Sequence, residues 1–136
     1  MKVVVDSNRV IASMLKDSTT REILYNDLFN FVAPEFVMEE IVKYKHEFMA
    51  RGKITADEFE ELLLLLFEKV TLTPHEEYEK QIEELKKEIS DPKDIPYLAC
   101  CLATKSEGIW THDPHFLEQN KIKIFTNKDL LAVSRA

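Results

Sequence analysis

The sequence predicts an α/β protein, a three-layer α/β/α sandwich around a short parallel central sheet. Two observations carry this. Short apolar or β-branched runs ("KVVV" at 2–5, "FVA" at 31–33, "VTL" at 70–72, "IWT" at 109–111 and "IKIFT" at 122–126) alternate with longer stretches of helical period. The first run also keeps three valines in succession, as suits a central strand covered on both faces. A length of 136 residues fits one domain over 1–136, long enough to bury a core without staples.

The elements follow in order. After "KVVV" a helical segment is expected from about Val10 to Leu15. Thr19 with Glu22 fits a capping box opening a helix over "REILYNDLF". Pro34 stands at an expected first helical position, and "EFVMEEIVKYKHEFMAR" repeats Phe36, Val37, Ile41, Tyr44 and Phe48 on one side, with Gly52 as its C-terminal cap. Thr55 with Glu58 is a second capping box, leading into "FEELLLLLFEKV". That leucine run is apolar all round its helix, which predicts buried core; a homodimer face or a groove for a partner peptide is the alternative. "PHEEYEKQIEELKKEI" reads as a charged helix with a narrow stripe of Tyr78, Ile82, Leu85 and Ile89. "SDPKD" breaks it. "IPYLACCLATKSEG" then reads as a helix packed through small residues and closed by Gly108, and a short helix is expected between "IWT", whose Trp110 belongs in the core, and "IKIFT".

Composition excludes several functions. With only 2 Gly there is no glycine-rich phosphate loop. The longest apolar run, 62–67, is far too short to span a bilayer. No basic start, apolar run and cleavage site mark a secretory signal, and the adjacent Cys100 and Cys101 are poorly placed for a disulfide with each other, so a reducing cytoplasmic setting is expected. A net charge of -7 argues against holding nucleic acid by a bulk positive field. It does not exclude a nuclease, because an acidic pocket filled with divalent cations reverses its local sign.

In open α/β sheets, sites form at the carboxyl ends of the strands. Four acids fit that edge: Asp6 directly after the first strand, Glu40 on the helix after the second, Asp94 opening the small-residue helix, and Asp113 after "IWT" and His112. Asp91 lies close by as an outer member. Each has a simpler reading. Asp94 fits a helix N-cap, Asp113 in "THDP" fits a turn, and Glu40 beside Glu39 fits a solvated face. Asp6 is the hardest to dismiss, since an unpartnered carboxylate at a central strand end is costly. Converged carboxylates raise each other's pKa unless a cation sits between them, and oxygen-only ligation suits Mg²⁺ or Mn²⁺. Such an ion activates water and stabilises a phosphodiester in reaction.

"VVVDSNRVI", "APEFVMEEI", "DPKDIPYLACCLA" and "IWTHD" resemble, in that order, the motifs of PIN-domain proteins. The resemblance covers nearly the whole chain. It implies a 5′-nuclease-like fold and a metal-dependent nuclease, a family that includes the toxins of prokaryotic toxin–antitoxin pairs. It implies that Asp6, Glu40, Asp94 and Asp113 form an acidic site for Mg²⁺ or Mn²⁺, with Ser7, Asn8 and Thr111 orienting carboxylates or waters. RNA as substrate, an antitoxin partner and a homodimer are implied in the same way. Two residues depart from the pattern: Arg9 where an apolar residue is usual and His112 where Gly is common. Glu39 is the alternative to Glu40.

Rival readings are a PIN-like module that holds RNA or a protein partner and cuts poorly, and a phosphate receiver, which "VVVDSN" disfavours because it lacks a pair of acids. His112 and His115 with Cys100 and Cys101 suggest zinc, but no CxxC is present. Cys100 and Cys101 fit small core residues better than a Cys–His nucleophile. Lys2, Lys93, Lys105, Lys121 and Lys123 are candidates to flank the rim and meet phosphates, or are ordinary surface lysines.

Overall fold

The computed structural model of the protein describes residues 1–15 and 17–136. Strands β1 (Lys2–Val5), β2 (Asn30–Pro34), β3 (Val70–Thr73), β4 (Ile109–Trp110) and β5 (Ile124–Phe125) form one sheet in the order β3-β2-β1-β4-β5. Every neighbouring pair is parallel. The helices are α1 (Ser7–Met14), α2 (Ser18–Leu24), α3 (Phe36–Lys43), α4 (Lys45–Gly52), α5 (Ala56–Lys69), α6 (His75–Leu85), α7 (Ile95–Thr104) and α8 (Asn127–Ser134), with a short 3-10 helix at Pro114–Glu118.

Alternation along the strands builds the three layers. Val3 and Val5 of β1, Phe31 and Ala33 of β2, and Trp110 of β4 join one core with α1 to α5 and α8. Val4, Val32 and Ile109 point the other way, into a second core with α6 and α7. The all-apolar β1 is thus covered on both faces, as its sequence requires. Phe31 and Trp110 stack at 5.2 Å across the central strand, and the Trp110 indole donates to Asn127 Oδ1 at 2.8 Å, so this buried ring is satisfied at its one polar atom.

The ends of elements differ from expectation. Helix α1 starts at Ser7, a turn earlier than Val10, because Asp6 caps it directly. The cap of α2 is Asp17, which accepts from Thr20 N at 3.0 Å; Thr19 and Glu22 lie inside the helix, which stops at Leu24 well before Phe29. Pro34 is the last residue of β2, paired with Thr73, rather than a helix start. The expected single helix over 35–51 is two, broken at Tyr44, whose φ of -103° leaves the helical region. Neither predicted glycine cap holds. Lys53 (φ 52°) and Lys105 (φ 55°) take the left-handed position that ends α4 and α7, a conformation costing about 1 kcal/mol for a residue with Cβ. Gly108 serves β4 instead. The leucine run is only partly core: Leu66 is buried, while Leu64 is 72% and Leu65 49% exposed. The Thr55–Glu58 capping box forms as expected. A third box, Thr126 with Asp129, opens α8, which sequence reading missed although the same signal marks it.

Candidate metal centre

Strand order places the site. The chain runs from β1 outward to β2 and β3, then returns to β4 on the other side of β1, so the order reverses between β1 and β4. A crevice opens at the carboxyl ends of strands flanking such a reversal. Asp6 ends β1 there, and Thr111 directly follows β4.

Asp6 is 4% exposed and fully engaged. Its Oδ1 accepts from Asn8 N at 2.8 Å and from Ser7 Oγ at 3.4 Å, while the Thr111 hydroxyl donates to Oδ2. Its backbone N–H donates to Trp110 O at 3.2 Å, tying it to β4. Burial raises its pKa; the Thr111 and Asn8 bonds offset part of this, nearby Asp113 adds to it, and Arg9 opposes it. Glu40 comes from α3, half-buried, and accepts from the Tyr97 hydroxyl of α7. Ser7 acts on both Glu40 and Tyr97, lowering the pKa of each. Burial and then Asp6 hold the Glu40 carboxyl above its ordinary value, and Tyr97 is pushed far up by burial and by Glu40. Glu39, the alternative, is exposed. Tyr97 was not singled out from sequence; a tyrosine inside a buried small-residue helix must find a hydroxyl partner, and that was the available signal.

Asp94 differs from Asp6. It occupies the N-cap position of α7, but with helical dihedrals and no capping hydrogen bond, so the simpler reading of it as an N-cap fails. It is 6% exposed, and its Oδ2 is buried with no hydrogen-bond partner. Its carboxyl is pushed up from 3.8 to about 7, by burial first and then by Asp113 and Asp91, with Asp6 adding to this and His115 opposing it. Asp113 caps the 3-10 helix, accepting from His115 N at 3.0 Å, and the His115 ring Nδ1 lies 3.2 Å from the same Oδ1. Its own N–H donates to Thr111 Oγ1 at 3.0 Å. The predicted turn role of Asp113 is therefore real and coexists with its place at the rim. Asp91 turns the chain before α7, accepting from Lys93 N at 2.9 Å. The one close group of potential ligands among the described residues is Asp91, Asp94 and His115, each with a ligand atom within 4.8 Å of the others. Asp6, Glu40 and Asp113 lie outside that tight group, and the charges of Asp6 and Asp113 act on Asp94.

Two recesses flank these acids. One, of about 390 Å³, is lined by Phe36, Glu39, Glu40, Lys43, Tyr44, Pro92 and Lys93. The other, of about 460 Å³, includes Asn8, Arg9, Arg51, His112 and Asp113. Arg9 leaves its Nε buried without a hydrogen-bond partner. His112 Nε2 accepts from Asn127 N at 3.2 Å, so this ring is partly committed to α8, and burial followed by Arg9 lowers its pKa.

A PIN-domain family profile matches residues 4–127. The chain belongs to the PIN-domain family. PIN domains are generally nucleases that act on nucleic acid with divalent metal ions, and the five-stranded parallel sheet is consistent with their fold. No curated protein matches the chain. Among the described residues, no helix of this PIN domain is long and apolar enough to cross a membrane.

Two rival readings fall away, and the simpler ones hold. Cys100 and Cys101 are buried in α7, their thiols pushed up to about 11 and about 12 chiefly by burial, and neither joins His112 or His115 in a ligand group. This removes both zinc and a cysteine nucleophile. Of the five lysines, only Lys93 borders the acids. Lys2 begins β1, and Lys121 and Lys123 precede β5, so in a parallel sheet they lie at the opposite edge. Lys105 lies there too, sharing a recess with Lys121 and Lys123; Lys2 binds Thr104 O at 3.2 Å and Lys121 pairs with Glu88 at 2.7 Å.

The raised carboxyls make a stability prediction. Between pH 3.8 and about 7 the folded chain holds a proton on Asp94 that the unfolded chain has released. This contribution is therefore fully present below the unfolded value and lost as pH rises through the folded one. Metal-free protein is expected to lose several degrees of melting temperature through Asp94 between pH 5 and pH 8. His112 titrates in the opposite sense and is common to parent and variant, so the loss is read as the difference between the parent and Asp94→Asn. Equal pH dependence in the two would contradict it.

Proposed function

We propose that the protein is a divalent-metal-dependent ribonuclease that hydrolyses RNA phosphodiester bonds in the reducing cytoplasm, with Asp6, Glu40, Asp94 and Asp113 as its acidic site. Asp94 carries the reading. A buried carboxylate with a bare oxygen, facing the charge of further acids at the reversal of strand order, has no structural reason to be there without a cation. The donor set fits: carboxylate oxygens suit Mg²⁺ or Mn²⁺. Such an ion, when bound, supplies activation of water and neutralises charge developing on the phosphodiester.

The chain's own residues orient and select. Thr111, Asn8 and Ser7 fix both Asp6 oxygens, while Tyr97 fixes Glu40, so two acids are held before any ion arrives. Lys43 and Lys93 on one side, and Arg9 and Arg51 on the other, offer local positive charge to a polyanion crossing the acids, although the net charge is -7. RNA rather than DNA, a toxin role and an antitoxin covering the cleft are parts of this proposal that rest on resemblance to PIN-domain nucleases alone. The exposed Leu64 and Leu65 of α5 are the best candidates for a homodimer face.

A second reading, a module that binds RNA or protein and cuts poorly, is favoured by Arg9, whose charge stabilises ionised Asp6 and competes there with a cation. Purified protein incubated with single-stranded RNA is expected to cleave it with Mn²⁺ or Mg²⁺ and to stop when EDTA is added. RNA retention without cleavage under both metals would instead support the binding module.

A further inference from the structure

We infer that His115 is a ligand residue: with Asp91 and Asp94 it forms a mixed nitrogen–oxygen cation position that favours a first-row transition ion such as Mn²⁺ over Mg²⁺. This rests on the proposed acidic metal site and adds to it a nitrogen donor that four carboxylates do not supply.

Three observations carry it. The closest convergence of potential ligands among the described residues is Asp91, Asp94 and His115, within 4.8 Å of one another, rather than any three of the four acids. Within it Asp94 is 6% exposed and has an oxygen with no hydrogen-bond partner, so the group contains a buried acceptor lacking what it should contact. The His115 ring is exposed, but its backbone is tied to the turn that carries Asp113. Asp113 Oδ1 accepts its backbone N–H at 3.0 Å and lies 3.2 Å from Nδ1, and Pro114 stiffens the turn between them. An imidazole offers a cation the lone pair of one ring nitrogen while the other carries the proton. A carboxylate holding one ring nitrogen while the other faces a metal is a common way of fixing a histidine ligand.

The donor chemistry sets the preference. Mg²⁺ is hard, keeps its waters and is served by carboxylate oxygens; imidazole nitrogen adds affinity for transition ions. Removing His115 should therefore weaken Mn²⁺ much more than Mg²⁺.

The test is the electron spin-echo spectrum of Mn²⁺ added to the full chain, together with titration of Mn²⁺ and Mg²⁺. The parent is expected to show nitrogen modulation from one imidazole. In His115→Gln that modulation disappears and Mn²⁺ affinity falls by about tenfold or more, with Mg²⁺ affinity changed far less. His112→Gln keeps the modulation, and circular dichroism checks that both variants are folded. Mn²⁺ bound without nitrogen modulation, or modulation that survives His115→Gln, overturns the assignment of His115 while leaving the acidic site standing. Absence of any Mn²⁺ binding overturns both.

Discussion

Asp94→Asn is expected to lose nuclease activity by at least about a hundredfold and, in metal-free buffer at pH 8, to melt above the parent. The two effects have one cause. Asp94 brings a charge into a nearly closed site, beside Asp113, Asp91 and Asp6, and leaves one oxygen with nothing to bond. Asparagine has the same shape without the charge. At pH 8 the gain is of the order of a few kcal/mol, because the carboxyl is pushed up from 3.8 to about 7, or several degrees. At pH 5 the folded parent carboxyl is protonated and the gain is much smaller, vanishing only below the unfolded value of 3.8. Added Mn²⁺ reverses the order, because only the parent retains the full site and ligand binding stabilises the folded state that binds it. Nuclease assays and melting curves with and without metal at the two pH values check this. A variant as active as the parent would remove Asp94 from the chemistry, and a variant that melts lower in metal-free buffer at pH 8 would mean the carboxylate has a partner after all.

Gly108→Ala is expected to cost about 3 kcal/mol or more, at or beyond the upper end of ordinary overpacking, and roughly 10 °C in melting temperature. A Cβ at Gly108 would sit 2.4 Å from the Lys123 carbonyl oxygen and 2.6 Å from the Phe125 ring. That oxygen cannot yield cheaply, since it accepts from Ile109 N at 2.9 Å in the β4–β5 ladder. Relief must separate the two strands. β4 runs straight into Thr111, so metal affinity should fall with stability. Gly52→Ala is the control: its nearest neighbour would be a flexible Leu15 methyl at 3.2 Å, and thermal melts should move by only a few degrees. Equal melting temperatures for Gly108→Ala and the parent would contradict the packing described for β4 and β5.

The architecture was legible because its signals are local and redundant. Three successive valines, the Thr55–Glu58 box and the small-residue run after Asp94 each fix an element from a few neighbouring residues. Helix ends were less legible. Glycine is the usual sign of a left-handed terminus, but here lysines took that position, and the glycines were needed elsewhere or left inside a helix. Tyr44 breaks a helix without Pro or Gly, so no sequence signal marked it. At the rim, sequence order indicated which acids stand near strand ends, but not their states. Whether Asp94 caps its helix or stands bare is decided by one backbone torsion, and the partnership of Asp91, Asp94 and His115 depends on how a turn from one part of the chain meets another. In the sequence His115 pairs most readily with the cysteines, which are buried in the core.

The junction between β1 and α1 has a consequence for lineages that abandon catalysis. Asp6 closes the strand against β4, caps the next helix and receives the Thr111 hydroxyl, so its removal harms folding whether or not any reaction is carried out. Asp94 has no such second employment. If the proposed site is right, a descendant freed from cutting would keep the first acid and let the other drift, so persistence of residue 6 says little about whether such a protein is alive as an enzyme, whereas residue 94 would report on it.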